Sequence, residues 1–252
     1  MGEALAAGLW GLLGGSALLV GAAIGWSLAL PQRLVAAVMA LGSGVLISAV
    51  AFELMEDAIA RGGFISTAGG FVGGAVVYTA ANVLLARHGG QHRKRSGSDA
   101  DEQMPHASKG GGTAIAFGSL LDGIPESIVI GVSLLEGTGV SIATVAAVFL
   151  SNLPEGLSSA AGMKQAGHGR KFVFGVWTGI AIASGLAALL GNLLLATAPA
   201  GAIAAVTATA AGAILAMLVD TMIPEATEST HEYSGLIAVA GFLIAFMLSQ
   251  AA

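Results

Sequence analysis

The chain reads as a succession of long apolar runs separated by short polar punctuation. Eight such runs stand out, at 5–30, 34–59, 64–86, 113–135, 139–163, 171–196, 200–228 and 234–250. Each approaches or exceeds the ~20 apolar residues that carry a helix across a bilayer. Stretches such as GIAIASGLAALLGNLLLA do not alternate, which argues against transmembrane strands. The pattern predicts an all-α polytopic membrane protein with eight transmembrane helices in one domain, 1–252. The first run is expected to be a span rather than a secretion signal, because it is long and carries Glu3 where a basic flank belongs.

Composition strengthens this reading. Hydrophobic residues make up 55% and charged residues 10%, against roughly 25% charged in a soluble domain. The 38 glycines suit close helix packing in a membrane. Gly69, Gly70, Gly73 and Gly74 in the third run fit either packing within a protomer or a homodimer face. With no Cys, thiolate metal sites, disulfides and Cys nucleophiles are excluded. A net charge of −5 gives no sign of a nucleic-acid partner.

Of the 10 Lys and Arg, all but Arg61 fall on one side of an alternating eight-span path. These are Arg33, Arg87, Arg93, Lys94, Arg95, Lys109, Lys164, Arg170 and Lys171. The positive-inside rule makes that side cytoplasmic and puts both termini outside. The one long connection, 87–112, is Gly/Ser-rich and is expected to be a flexible cytoplasmic loop. Its His88, His92 and His106 leave a loose metal tether open beside a plain linker touching anionic lipid.

Candidate chemistry concentrates in GSLLDGIPESIVIG (118–131) and VFLSNLPEGLSSAAG (148–162). Both place Pro before Glu near the middle of an apolar run, a pattern that marks binding sites at the bilayer midplane. Asp122 and Glu126 are four apart and share a helix face, as do Ser151 and Glu155, with Asn152 three before Glu155. Pro125 and Pro154 cannot donate to the carbonyls of Leu121 and Leu150, so backbone oxygens are freed beside the polar pairs. Carboxylates, an amide, a hydroxyl and freed carbonyls make an oxygen-rich cation cage. A structural role alone is disfavoured, since a carboxylate at a helix centre costs about 2.5–3.5 kcal/mol. The spans supply no Lys or Arg at that depth.

A second pair of segments, GVLISAVAFELMEDA (44–58) and GAILAMLVDTMIPEA (212–226), aligns with a constant offset of 168. Runs one to three and six to eight are therefore expected to be inverted copies around runs four and five. Glu53, Glu56 and Asp57 fall near one mouth, and Asp220, Glu225 and Glu228 near the other. Glu53, Asp220 and Glu225 are the candidate acids of the access routes, whereas Glu56, Asp57 and Glu228 read as solvated ends.

These residues resemble the ZIP family of divalent-metal transporters over nearly the whole length. The resemblance rests on the repeated Pro-Glu motif in runs four and five, the His-bearing loop after run three, and the acidic FELMED and VDTMIPEA segments. It implies a 3+2+3 helical fold, a metal site between runs four and five, and movement of zinc, iron or manganese into the cytosol. Position by position, Asp122 stands where a His is usual, Gly123 where Asn is usual, and Glu126 matches. Ser151 replaces a stronger ligand, Asn152 is a common variant, and Glu155 matches. In TGIAIASG of run six, Ile182 takes the place of an acid, which implies a weakened second metal position.

The expected function is transport of divalent metal through Asp122, Glu126, Ser151, Asn152 and Glu155, zinc first by resemblance, with no prosthetic group. The partners are divalent cations and the bilayer of a cell membrane. The alternative is a proton-coupled carrier or channel for another solute using the same carboxylates. An enzyme is not expected, since no run holds a His pair or a His or Lys base for a Ser nucleophile.

Overall fold

A computed structural model describes residues 2–87, 111–136, 140–165, 167–230 and 232–251. The expected His-bearing loop lies almost entirely outside the described residues. Those residues are almost entirely helical, with short turns between helices and no strand. The helices are α1 (Gly2–Ser27), α2 (Gln32–Ala49), α3 (Met55–Leu85), α4 (Gly111–Ser133), α5 (Ile142–Gln165), α6 (Arg170–Leu195), α7 (Ala200–Met217), α8 (Ile223–Thr230) and α9 (Ser234–Ala251). Among them, Gly2–Ser27, Gln32–Leu85, Arg170–Leu195 and Ala200–Glu228 are long and apolar enough to cross a membrane. Large side chains such as Leu9, Phe64, Ile65, Leu194 and Leu236 are exposed, as expected where the surface faces lipid rather than water.

Local chemistry sets the boundaries. Pro31 and Pro199 lie in extended backbone immediately before α2 and α7, where a residue without an N–H costs nothing. Each of these helices then passes through a π-helical turn, Val50–Leu54 after α2 and Leu218–Met222 after α7. Such i→i+5 turns cluster at functional sites, and here they carry Glu53 and Asp220. Pro125 and Pro154 both lie inside helices, α4 and α5.

Gln32–Leu85 is not one straight rod. Gly63 adopts φ 70°, ψ 178°, a conformation open to glycine and costly to other residues. Before it, Ala58 packs with Ala204 and Ala208, and Gly62 approaches Gly201 and Ala204. After it, Gly70 meets Ala205 and Gly74 meets Thr209. The chain therefore reverses direction along α7 at a single residue. The expected break between the second and third runs falls there.

Helices approach until backbones touch. A Cβ on Gly21, Gly25 or Gly156 would overlap the backbone of the facing helix in the α1–α5 pair. Gly131 does the same between α4 and α6, Gly44 and Gly241 between α2 and α9, and Gly74 and Gly212 between α3 and α7. Two amides reinforce the contacts. Asn152 Nδ2 donates to the Gly14 carbonyl and Asn192 Nδ2 to the Gly131 carbonyl, both at 3.1 Å. The glycine face of α3 is split, with Gly70 and Gly74 against α7 while Gly69 and Gly73 meet nothing within 4 Å.

This split gives a test. Gly44→Val is expected to lower the thermal unfolding temperature in detergent, with a loss of about 1–3 kcal/mol or more from overpacking against Ala238. Gly73→Ala, with open space around it, should be neutral or gain up to about 1 kcal/mol of helix stability. Equal melting shifts for the two variants would contradict the packing described.

Candidate functional site

Helix α5 organises the polar interior. Thr144, Ser151, Glu155 and Ser158 are spaced by seven, four and three residues and so fall on one stripe of the helix. All four are buried. At ~1.5 Å rise per residue the stripe extends about 21 Å. Along it, acids arrive from other helices. Thr144 Oγ1 donates to Glu53 Oε2 at 2.6 Å. Ser151 Oγ lies 3.5 Å from Glu126 Oε1. Ser158 Oγ donates to Glu225 Oε1 at 3.0 Å. Carboxylates from the α2 π-turn, α4 and α8 thus meet successive steps of one helix.

The middle step carries the most chemistry. Glu126, Ser151, Asn152, Glu155 and Asp122 are each at most 3% exposed. Ser151 has one hydroxyl proton, and its shorter contact is to the Val148 carbonyl at 2.9 Å. Its longer contact, 3.5 Å to Glu126 Oε1, is also on the donor side of the hydroxyl, so one proton is shared between a carbonyl and a carboxylate. Asn152 is fixed by its Nδ2 bond to Gly14. That orientation leaves Oδ1 buried and without a hydrogen-bond partner among the described residues. Buried carboxylates and an unpartnered amide oxygen in an apolar interior favour a compensating proton or cation nearby.

Asp122 takes a different partner. Tyr78 of α3 donates its hydroxyl to Asp122 Oδ1 at 2.8 Å, and both are about 1% exposed. Asn82, one turn beyond Tyr78, donates to Asp220 Oδ2 at 3.2 Å. Among the described residues no three of His, Cys, Asp and Glu gather tightly enough to hold a metal by themselves. Any cation here would be shared between carboxylates and neutral oxygens from Ser and Asn.

Asp220, within the π-turn, is exposed beside Val219, whereas Glu225 is buried. Ile182, at the position where the resemblance puts an acid, is 52% exposed. The α6 residues nearest Gly123 are Ile180 and Ser184. Of the acids read as solvated ends, Glu56 and Glu228 are exposed, and Asp57 pairs with Arg61 at 2.6 Å.

The sequence reading missed Tyr78, Asn82, Thr144 and Ser158. Their only signal was a polar group four residues, or one helical repeat, from another inside an apolar run. No protein-family model matches this chain, and no curated protein matches it.

Tyr78→Phe removes a hydrogen bond to a buried carboxyl and is expected to cost about 1.5–3 kcal/mol. Asn82→Ala, at the perimeter, should stay within about 0.5 kcal/mol. Denaturation of the two variants in the same detergent compares them, and a harmless Tyr78→Phe would contradict a structural or binding role for the pair.

Proposed function

We propose that this chain is a multi-pass cell-membrane transporter of divalent metal cations, with the cargo bound at the midplane between α4 and α5. The observation that carries the reading is the α5 stripe, where hydroxyls and Glu155 alternate with carboxylates delivered from three other elements. A ladder of oxygens through an apolar bundle has the chemistry of a cation route. The ligands of this reading are Asp122, Glu126, Ser151, Asn152 and Glu155, with Glu53, Asp220 and Glu225 on the access routes. Zinc comes first by the ZIP resemblance, with iron and manganese as further cargo. Catalysis has no part in this reading.

The proposed arrangement is eight spans, three plus two plus three, with inverted repeats. It is supported by matching boundaries. The starts of α2 and α7 (200 − 32) and of their π-turns (218 − 50) both differ by 168. Contacts match as well, since Gly44 meets Ala238 where Gly212 meets Phe71, and Gly241 meets Leu41 where Gly74 meets Thr209. Alternating traversal is supported by direction. Gly21 and Gly25 meet Leu153 and Leu157, so α1 and α5 run parallel, whereas Gly11 and Gly15 meet Ala188 and Ser184, so α1 and α6 run antiparallel. The charge bias then puts the termini outside and 87–112 in the cytoplasm.

Reconstitution tests this reading. Proteoliposomes should accumulate zinc and manganese. Glu126→Gln and Glu155→Gln should each reduce uptake beyond the roughly 10–100-fold typical of residues outside a metal's ligand shell. Loading should release protons and weaken as pH falls, because carboxyl ligands must be ionised to bind metal. Pumping of protons without any metal flux would instead favour the proton-coupled alternative.

Metal choice gives a sharper test. Oxygen ligands suit manganese better than imidazole does, while zinc keeps a higher intrinsic affinity for most sites. Competition uptake with zinc, manganese, iron(II) and cadmium should reveal broad specificity in the parent. Asp122→His should move it toward zinc. A strictly zinc-selective parent, unaltered by that change, would remove Asp122 from the ligand set.

A further inference from the structure

Helix α1 has no basic residue in its last turn, so its terminal carbonyls take their donors from elsewhere. Lys164, at the end of α5, supplies one. Its Nζ donates to the Trp26 carbonyl at 2.6 Å and stands 5.6 Å from the centroid of the Trp26 ring. An ammonium carries three N–H donors, and the Trp26 carbonyl takes one of them. No carboxylate pairs with Lys164 among the described residues. The side chain is exposed, so its charge is fixed in place without a counter-charge from the protein.

Beside it lies a groove of about 480 Å³ between the α1–α2 link and the end of α5. Gln32, Lys164 and Gln165 are the polar members of its wall, which holds no Asp or Glu. The rest of the wall is apolar, and Leu28, Leu30 and Ala161 are its partly or fully exposed members nearest the opening to the outside. Aromatic rings and a second cation flank the groove. Trp26 meets the edge of Phe174 with centroids 6.5 Å apart, and the Arg170 guanidinium lies 5.5 Å from the Phe174 ring. Tryptophan at a helix end among basic residues is the composition of a membrane–water boundary on the cytoplasmic side. An apolar wall with one fixed ammonium matches an amphiphile with an anionic head.

We propose that this groove binds one anionic phospholipid, with its phosphate on Lys164 and the upper part of an acyl chain against Leu28, Leu30 and Ala161. Charge complementarity selects the occupant. A compact ammonium binds a phosphate oxygen as a point charge. In the proposed topology this end of the bundle faces the cytoplasmic leaflet, where anionic lipids gather. The site uses none of the residues assigned to the metal route, so it is tested apart from the transport reading.

Trp26 provides the readout. The chain has 3 tryptophans. In a Trp10→Phe background Trp177 is 1% exposed, which leaves Trp26 as the indole open to lipid. The full chain is reconstituted in phosphatidylcholine vesicles containing phosphatidylglycerol brominated high on its acyl chains, which quenches nearby indole fluorescence. Brominated phosphatidylcholine is the reference. The anionic lipid is expected to associate about fivefold more strongly, the preference that one Lys near an anionic surface supplies. Lys164→Gln should abolish the preference and Lys164→Arg should keep it. Ala161→Phe, which narrows the groove and leaves the charge, should reduce it. Equal quenching by the two lipids overturns the proposal. So does a full preference in Lys164→Gln or in Ala161→Phe, because the charge of the whole surface then suffices. Loss of the preference on adding inorganic phosphate would make a free anion the occupant and overturn the lipid. Metal uptake by the same vesicles scores transport separately, and its absence beside an intact lipid preference sinks the transport reading while supporting this site.

Discussion

Taking a carboxylate out of water forfeits its hydration, and an apolar bundle can hold one only by supplying hydroxyls, amides or a cation in return. Asp122, Glu126, Glu155 and Glu225 are all nearly fully buried. Their neighbours come from elsewhere in the chain. Tyr78 reaches Asp122 from α3, Ser151 faces Glu126 from α5, and Ser158 reaches Glu225 from α5. Each contact ties together helices that packing alone would allow to slide. The acids therefore fix the relative height of α3, α4, α5 and α8, and α5 is the helix on which most of them converge.

That convergence depends on how near the helices come. Side chains as short as Ser and Thr reach across only where backbones almost touch, and glycine makes this possible. Gly21 and Gly156 bring α1 against α5, and Gly42 lets α2 settle on Pro154 of α5. Once α1 is that close, the Gly14 carbonyl can take the amide of Asn152 and so turn Oδ1 inward. Small residues and buried oxygens thus belong to one arrangement. Enlarging the first would pull apart the second.

Much of this could be read along the chain. The short polar stretches between apolar runs announce the breaks between helices, the one at Gly63 among them. The doubled Pro-Glu segments lead to Glu126 and Glu155, both buried. The offset of 168 was visible in 44–58 and 212–226 and recurs in helix starts well outside those segments. What could not be read was partnership. Tyr78 and Asp122 are 44 residues apart and Glu53 and Thr144 are 91 apart, and a distance in sequence carries no periodic signal. Nor did the pattern reveal the π-turns. Each widens the helix by one residue and so shifts which residues share a face, Asp220 among them.

The corner at Gly63 has a consequence for how such a protein would be made. One residue spans at most about 3.6 Å, while the hydrocarbon core of a bilayer is about 30 Å thick. In the proposed topology neither limb, 32–62 or 64–85, can enter the membrane and wait for the other, because there is no slack to wait on. The two must be inserted together, as a closed hairpin whose tip is pushed across first. That tip carries Arg61, a charge that resists the crossing, and the ion pair with Asp57 one turn earlier lets it travel already neutralised.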